Sequence, residues 1–505
     1  MNISQAKQVI KDTVSIYLKK DDSGDYCIPV VRQRPIFMLG APGIGKTAIM
    51  EQIASELGIA LVAYSMTHHT RQSALGLPYI TKRNYGGEEY SVTEYTMSEI
   101  IASVYDAIET GGIKEGILFL DEINCVSETL GPSMLQFLQY KTFGRHAVPE
   151  GWVIVTAGNP PEYNRSVREF DIATLDRMKV ISVDPDLKVW REYAYEKNIH
   201  GAVTGYLDVK KDDFYVMEMS ASGRSYVTAR GWEDLSEMLK LCEEEEITAD
   251  ISLIAQYIRC ERVAKDFSAY YDMYKKYKKD YRIADILSGN PPAGIFDKAK
   301  GAGFDERLSV SCMLLDAVCS EMRTVMENAD DISALLPALK AVKKRSEEGA
   351  AEEETIGVLK SARDNQEGRM KSLKAAGALS PSERRIIKNT IKTYEDMISA
   401  CSGVSCESGS GVFNVCAGIY EKKKNHLRTC AEETGKRLSN MIRFIKEAYK
   451  DGNEPVIIAA RLTSDKYASR FIGAFGNDEY KELAADMELS ERGNGLKEQI
   501  LRLDI

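Results

Sequence analysis

The sequence lacks several features that mark common classes of protein. It contains no run of 18 apolar residues, so no transmembrane helix is expected, and its first 20 residues lack the apolar core of a secretory signal. Its 66 basic residues are outnumbered by 76 acidic ones, and the net charge of −10 disfavours a protein that coats nucleic acid. None of its ten cysteines forms a C-x-x-C pair, so we expect reduced thiols and a cytoplasmic location.

Histidine is scarce, and two of the five histidines are adjacent. His68 and His69 open the stretch HHTRQSALGLP, beside an arginine, which suggests a metal site or an acid–base centre. No further ligands lie nearby at a usual spacing, so a metal site is the weaker interpretation. Cys401 and Cys406 likewise lack a second pair of cysteines or histidines that would complete a zinc site.

The strongest signal in the sequence is a glycine-rich loop between an apolar run and an amphipathic stretch. The segment GAPGIGKT follows the apolar run Pro35–Leu39 and matches G-x-x-x-x-G-K-[ST]. Its glycines let backbone N–H groups point inward at phosphate oxygens, and the following helix begins at the same place. Lys46 would reach the β- and γ-phosphates of ATP, and the Thr47 hydroxyl would ligate Mg²⁺. The predicted nucleotide-binding residues are Gly40, Ala41, Pro42, Gly43, Ile44, Gly45, Lys46 and Thr47.

Two further apolar runs end in polar residues suited to hydrolysis. Gly116–Leu120 leads into Asp121, which can hold Mg²⁺ through water, and Glu122, which can polarise the attacking water. Val153–Ala157 leads into GNPP, where the Asn159 amide can orient that water at the carboxyl edge of a sheet. A kinase would not need Glu122 to activate water, so the acidic pair favours hydrolysis over phosphoryl transfer to a substrate hydroxyl.

Taken together, these motifs resemble the MoxR branch of the AAA+ ATPases. The resemblance rests on GAPGIGKT, LFLDEIN, TAGNPPEYN and ATLDRM in this order, and it covers residues 1–290. It implies an α/β fold of the P-loop NTPase type, with a five-stranded parallel sheet followed by a helical lid. It also implies assembly into a ring, usually of six subunits, with ATP bound between neighbours. Met178 departs from the family, which more often has phenylalanine at this position.

The resemblance assigns a catalytic arginine to the neighbouring subunit. Arg177 in LDRM matches the arginine finger, which reaches the γ-phosphate held by the adjacent subunit. Arg168 and Arg165 lie close in sequence and are the alternates. If Arg177 has only a structural role, we expect a salt bridge with Asp176 or Asp171.

A second arginine is assigned to the lid by the same resemblance. Arg230 in VTARGW matches the second sensor arginine, which contacts the phosphates of its own subunit. The family motif usually has proline where Ala229 stands, so Arg224 is kept as a lesser candidate.

The resemblance also gives the histidine pair a place away from the phosphate loop. Ile59–Met66 predicts the second strand of the sheet in chain order, and His68 and His69 follow its carboxyl end. A β-hairpin is predicted next over residues 79–95, where MoxR-like proteins carry an insertion, and another over 140–149. Such hairpins face the channel or rim of AAA+ rings, so we interpret the histidines as contacts with a client or a neighbouring subunit.

Three domains are predicted along the chain. They are an AAA+ α/β nucleotide-binding domain over residues 1–183, a helical lid over 184–290 and an α-helical C-terminal interaction domain over 291–505. The last boundary falls at the break NPPAG, residues 290–294.

Helical patterns dominate the second half of the chain. Four tyrosines in one segment fall on a single helical stripe with the lysines off it, which indicates packing on protein rather than nucleic acid: Tyr270, Tyr274, Tyr277 and Tyr281. The capping box SPSE at 380–383 starts a helix that runs to about Ala400. Residues 402–411 predict a flexible loop, followed by a long amphipathic helix that ends near Gly452.

The favoured function is an ATP-driven, chaperone-like ring that remodels or matures a protein client. A partner with a von Willebrand factor A domain is implied by the resemblance alone. One alternative is a nucleotide-gated scaffold that binds ATP to assemble but turns over little. Another is a nucleic-acid motor, which the acidic balance disfavours.

Overall fold

The chain forms two compact units, and each unit is built from two separate stretches of the sequence. The computed structural model describes residues 1–68, 74, 76–163, 167–220, 223–403, 409–450 and 452–485. The first unit contains residues 1–189 and 361–392, and the second contains residues 190–360 and those from 393 onwards. These units do not coincide with the three domains predicted from the sequence. The predicted lid and most of the predicted C-terminal domain share one unit, and a C-terminal segment belongs to the other.

A five-stranded parallel sheet forms the centre of the first unit. The strands lie in the order β2-β5-β8-β1-β9, so the fold class predicted from the sequence is confirmed. Parallel strands end at the same edge of a sheet, and this edge gathers the polar residues that follow β1, β5 and β8. The strands of the unit are β1 (Ile36–Gly40), β2 (Ala60–Ser65), β3 (Pro78–Tyr85), β4 (Glu88–Tyr95), β5 (Gly116–Asp121), β6 (Thr142–Phe143), β7 (His146–Ala147), β8 (Trp152–Gly158) and β9 (Lys179–Val183).

Apolar side chains cover both faces of this sheet because successive strand residues point to opposite sides. Ile117 and Phe119 of β5 join one apolar cluster, and Leu118 and Leu120 join the other. The helix Ile3–Tyr17 packs on the first cluster through one apolar face, with Ala6, Ile10 and Val14 fully buried. The other α-helices of residues 1–189 that the structure describes are Lys46–Leu57, Glu99–Gly111, Gly131–Tyr140, Ile172–Leu175 and Leu187–Glu196, the last continuing into the second unit.

Both β-hairpins predicted from the sequence are present. Strands β3 and β4 pair in antiparallel register from Pro78 and Tyr95 to Tyr85 and Glu88. Gly86 and Gly87 form the turn, and both have positive φ, 66° and 95°, a conformation that glycine adopts without steric cost. The second hairpin is shorter, with β6 paired to β7.

The second unit is mostly helical. A two-stranded hairpin, β10 (Val216–Ser220) and β11 (Gly223–Val227), accompanies the helices. The α-helices wholly within this unit include Gly201–Val209, Ala229–Glu244, Ile251–Tyr257, Glu261–Tyr281, Ile283–Leu287, Ile295–Lys300, Phe304–Ala334, Leu336–Glu347, Gly409–Ala448, Glu454–Ser464 and Lys466–Phe475. Two more helices, Glu352–Ala375 and Pro381–Gly403, run between the two units.

Several sequence predictions for this helical region are confirmed. Tyr274 and Tyr281 are buried on the helix Glu261–Tyr281, as is Tyr271, which lies outside the predicted stripe. Glu383 and Ser380 exchange the hydrogen bonds of the predicted capping box. The predicted loop 402–411 is shorter than expected, because helices include its residues 402–403 and 409–411, and residues 404–408 lie outside the described part of the chain. Within the described ranges, no helix has both the length and the apolar character that a bilayer crossing requires.

A cluster of charged and polar groups lies inside the second unit, around Asp316. Arg461 pairs with Asp208 and donates a hydrogen bond to the Cys312 sulfur, 3.3 Å away. The Oδ2 atom of Asp316 is buried, and it accepts no hydrogen bond from any described residue. Burial raises the pKa of Asp316 to about 7, since Arg461 offsets only part of the cost and Asp208 and Asp465 add to it. Asp316 is therefore protonated in the fold under mildly acidic conditions.

This burial predicts a stability that falls with rising pH. Between the ordinary aspartate pKa of about 4 and the folded value near 7, the folded state binds the proton and the unfolded state does not. The contribution of Asp316 to the free energy of unfolding should therefore decrease with pH by roughly 1.4 kcal/mol per unit across this window and be constant on either side. Asp316→Asn removes the titrating group, so its stability relative to wild type should be higher at pH 8 than at pH 5, as measured by thermal unfolding. The exposed Asp272→Asn is the control, and an equal Asp316→Asn difference at both pH values would contradict the assignment.

Candidate active site

The glycine-rich loop leaves β1 and turns directly into the helix Lys46–Leu57. Gly43 and Gly45 adopt left-handed backbone conformations, with φ of 72° and 94°, and Gly45 caps the helix. A side chain would strain both positions, so glycine is needed there. The loop thereby turns at the N-terminal end of a helix, where backbone N–H groups and the helix dipole favour an anion.

Lys46 is held inside this loop. Its ammonium group donates hydrogen bonds to the carbonyl oxygens of Gly40 and Ala41 and to Oδ1 of Asn159, each 2.8 Å away. Only 8% of the residue is exposed. The positive charge is therefore fixed between the loop and the end of β8. One of its hydrogen bonds goes to Asn159, a predicted catalytic residue.

Thr47 and Asp121 meet at the neighbouring strand end. The Thr47 hydroxyl donates a hydrogen bond to Oδ2 of Asp121, 2.9 Å away. A hydroxyl and a carboxylate are hard oxygen ligands of the kind that Mg²⁺ takes, usually with waters and substrate phosphates completing its octahedron. The two residues thus fit the predicted magnesium site.

Glu122 has an unusual backbone and a side chain directed to β2. Its φ of 56° and ψ of 36° lie in the left-handed region, which costs a residue with a Cβ on the order of 1 kcal/mol. Its N–H donates to Oδ1 of Asp121 at 2.9 Å, while Oδ2 of Asp121 accepts from Thr47. The hydroxyl of Ser65, the last residue of β2, donates a hydrogen bond to Oε2 of Glu122 at 3.4 Å. The sequence around Ser65 carries no signal of this contact, because no local pattern reports which strand lies beside β5.

Asn159 is positioned by a second asparagine that sequence analysis also missed. The side-chain amide of Asn124 donates a hydrogen bond to the main-chain carbonyl oxygen of Asn159 at 2.8 Å. The main-chain carbonyl oxygen of Asn124 accepts a hydrogen bond from the main-chain N–H of Arg168 at 2.9 Å. A side chain on Gly158 would collide with the Asn124 amide, so glycine permits this approach. The signal available in the sequence was a polar residue, Asn124, two positions after the acidic pair.

The site as a whole fits a magnesium nucleotide. The loop contributes backbone donors and the Lys46 ammonium, which suit phosphate oxygens. Asp121 and Thr47 contribute metal ligands, and Glu122 and Asn159 stand at the adjacent strand ends where a carboxylate and an amide can hold a water. Each predicted site residue of residues 40–159 therefore lies at the carboxyl edge of the sheet.

The arginines of this unit differ in their partners. Arg177 is exposed, and no described residue forms a salt bridge with its side chain, so the predicted structural pairing with Asp176 or Asp171 is absent from the described contacts. Asp171 instead caps the helix Ile172–Leu175, and hydrogen bonds from Thr174 hold the pKa of its carboxyl below the usual value, with a smaller effect from Arg177. Arg168 pairs with Glu128. Arg165, the other alternate, lies outside the described residues.

Four remaining candidates lie in the second unit or fall wholly or partly outside the described residues. Arg230 belongs to the second unit and is exposed in the first turn of the helix Ala229–Glu244, which Thr228 caps. Arg224 lies in β11, and its side chain is outside the description. His68 ends a short 3₁₀ turn, Met66–His68, and the prediction for its side chain and for His69 falls outside the described residues.

Comparison with known proteins finds one family match within the first unit. Residues 35–178, which include the glycine-rich loop and the acidic pair, are similar to the family model of the AAA domain of the dynein-related subfamily. No curated protein matches the sequence.

One similar solved structure is that of a protein from Cytophaga hutchinsonii ATCC 33406, provisionally named an ATPase and determined at 2.00 Å resolution. The two sequences are 16% identical, the TM-score is 0.22, and the alignment covers 38% of this chain and 58% of the other. The chain thus spans less than two thirds of that protein, and the likeness is too low to indicate a shared overall fold.

Proposed function

We propose that this chain is an ATP-hydrolysing AAA+ ATPase of the MoxR type that acts as a ring on a protein client. The observation that carries the proposal is the convergence of Lys46, Asp121, Glu122 and Asn159 at one edge of the sheet, with Lys46 hydrogen-bonded to Asn159. The AAA domain found at residues 35–178 supports it.

Each residue has a distinct role in the proposed reaction. Lys46 and the loop N–H groups neutralise and hold the phosphates, and Thr47 and Asp121 hold Mg²⁺, which would supply charge neutralisation between the β- and γ-phosphates. Glu122 accepts a proton from the attacking water as its general base. The Asn159 amide orients that water, and Asn124 fixes the backbone beneath it.

The ring is part of the same proposal. The exposed Arg177 has no salt-bridge partner among described residues, so its guanidinium is available to reach a phosphate held by a neighbouring subunit. We assign it as the arginine finger of a homo-oligomer, with six subunits as the usual number for such rings. Arg230 is assigned as the second sensor of the subunit that carries it.

Two hairpins supply a surface for a protein client. Glu94 of β4 pairs with Arg83 of β3 at 2.5 Å and with Arg145, in the turn between β6 and β7, at 3.0 Å, so the hairpins are joined to each other. Tyr85 and Tyr90 lie side by side on the longer hairpin, with ring centroids 6.1 Å apart, and about half of each is exposed. Exposed aromatic side chains on a polar hairpin suit contact with polypeptide. A partner with a von Willebrand factor A domain is one candidate client.

The competing functions differ in turnover and in what stimulates it. A nucleotide-gated scaffold would bind ATP and assemble with little phosphate release, and a nucleic-acid motor would hydrolyse faster with DNA or RNA. We expect steady phosphate release by the purified protein, with no stimulation by either nucleic acid. ATP-dependent assembly without turnover would favour the scaffold, and stimulation by nucleic acid would favour the motor.

The tyrosine pair is expected to contribute to client capture. The test uses the Glu122→Gln variant, which should retain ATP and therefore the client. In this variant, the additional double substitution Tyr85→Ala and Tyr90→Ala should lower the amount of co-purified client several-fold. The phosphate loop is untouched, so ATP binding should be unchanged. Tyr105→Ala, an exposed tyrosine on the helix Glu99–Gly111, is the matched control. Equal client recovery from both variants would rule out the hairpin as the client surface.

A further inference from the structure

A segment from the C-terminal half of the chain is part of the ATPase unit. Residues 361–392 belong to the first compact unit, although the chain on both sides of them belongs to the second. They comprise the end of the helix Glu352–Ala375, a short turn and the start of the helix Pro381–Gly403. We call residues 373–378 the hairpin tip.

The hairpin tip closes the outer edge of the central sheet. Strand β2 is an edge strand, paired with β5 on one side only. On its other side, the Leu61 N–H donates a hydrogen bond to the Ala376 carbonyl oxygen, 2.8 Å away. Ala376 is fully buried and Ala378 is 4% exposed, both within the apolar cluster that includes Val62. An edge N–H group that would otherwise face solvent is thus satisfied by a distant part of the chain.

Two glycines make this close contact sterically feasible. Gly377 ends the first helix with a φ of 64°, and the Ala378 N–H donates to the Leu373 carbonyl at 3.0 Å, as in a Schellman helix end. A Cβ on Gly377 would collide with the Leu61 carbonyl oxygen. On the opposite side, a Cβ on Gly111 would lie 3.0 Å from the Ala376 methyl carbon. The tip therefore fits the edge at main-chain distance, and one added methyl group is enough to disturb it.

The strand that the tip covers also ends at the candidate active site. Leu61 and Ser65 lie on the same five-residue stretch of β2, and the Ser65 hydroxyl donates a hydrogen bond to Oε2 of Glu122 at 3.4 Å. Ser65 is in register with Asp121 on β5. A fixed β2 therefore keeps the Ser65 hydroxyl on Oε2 of Glu122, an oxygen that must be free to accept a proton if Glu122 is to act as the general base.

Continuous helices connect the tip to the second unit. Residues 352–360 of one helix and 393–403 of the other belong to that unit. A rearrangement of the second unit can therefore act on the tip through the backbone of these two helices.

We propose that docking of the hairpin tip on the outer edge of β2 restrains ATP hydrolysis, and that rearrangement of the second unit releases the restraint. The inference rests on the proposed function, because it concerns the rate of the same reaction. Its partner is a segment of this chain, and its effect is exerted through β2, Ser65 and Glu122.

The test is to undock the tip with a single methyl group. Gly377→Ala should speed amide hydrogen exchange at Leu61 and raise the turnover of ATP about fivefold or more, the lower end of ordinary allosteric coupling. Gly368→Ala is the matched control, since it lies on the same helix with open space around a Cβ, and it should change neither quantity. If Gly377→Ala fails to fold, Gly111→Ala serves instead, and adding Ala376→Gly, which removes the opposing methyl, should restore slow turnover.

The outcomes separate this inference from the proposed function. Faster Leu61 exchange with unchanged or lower turnover would overturn the restraint and leave the ATPase assignment intact. Unchanged Leu61 exchange in Gly377→Ala and in the larger Gly377→Asp would show that the contact is not releasable, which also contradicts the inference. Absence of turnover in wild type would instead reject the proposed function. In that case the restraint would be contradicted as well, since no reaction would remain for it to act on.

Discussion

Replacing Lys46 with alanine is expected to abolish ATP binding, whereas Glu122→Gln is expected to retain binding and lose hydrolysis. The physical reason is that the two side chains have different proposed roles at the same edge of the sheet, since Lys46 binds phosphate and Glu122 activates water. Lys46 brings the buried positive charge to the loop, and Glu122 stands outside the loop, directly after β5, with its carboxylate beside Ser65. Loss of a general base lowers turnover by roughly a hundredfold or more. ATP affinity and steady-state phosphate release, measured on the same preparations, separate the two effects.

A nearby glutamate provides the control for this pair. Glu128 is exposed and pairs only with Arg168 among the described contacts, so Glu128→Gln should hydrolyse ATP at nearly the wild-type rate. Wild-type turnover by Glu122→Gln would remove the general base from the proposed mechanism. Normal ATP affinity in Lys46→Ala would remove the loop as the phosphate site.

Arg177→Ala is expected to bind ATP almost normally and to hydrolyse it on the order of a thousandfold more slowly. The phosphate loop is untouched by the change, and Arg177 forms no salt bridge with a described residue that its loss would break. The defect should therefore appear in turnover and not in nucleotide affinity or in thermal stability. Arg168→Ala is the comparison, because this alternate is already paired with Glu128. If Arg168→Ala shows the large loss of turnover and Arg177→Ala does not, the finger assignment passes to Arg168.

The parts of the site that sequence analysis predicted are the local ones. Residues 40–47 are consecutive, and glycine, lysine and threonine at fixed spacing determine the loop with little help from the rest of the fold. The strand ends at Asp121 and Asn159 were also predictable, since apolar runs locate buried parallel strands and the ends of such strands share an edge. The capping box at Ser380 and Glu383 is local as well, and it was predicted for the same reason.

The parts that sequence analysis missed depend on contacts between distant segments. Ser65 approaches Glu122 only because β2 lies beside β5, and Asn124 supports Asn159 only because their loops meet at the sheet edge. The domain boundary predicted at residue 291 rests on a local sequence break, which carries no information that residues 361–392 return to the ATPase unit. Their key contact is a main-chain hydrogen bond from Leu61 to Ala376, and such a bond leaves no signature in the side chains.

The most direct test of the central claim is to mix the two inactive variants, Glu122→Gln and Arg177→Ala. If each ATP site is built between neighbouring subunits, some interfaces of a mixed ring combine an intact Glu122 from one copy with an intact Arg177 from the next. The account predicts that phosphate release, absent from each variant alone, returns in the mixture and rises steeply with protein concentration. Mixtures that stay inactive, while mass measurements show oligomers containing both variants, would contradict a shared site and leave Arg177 with a structural role.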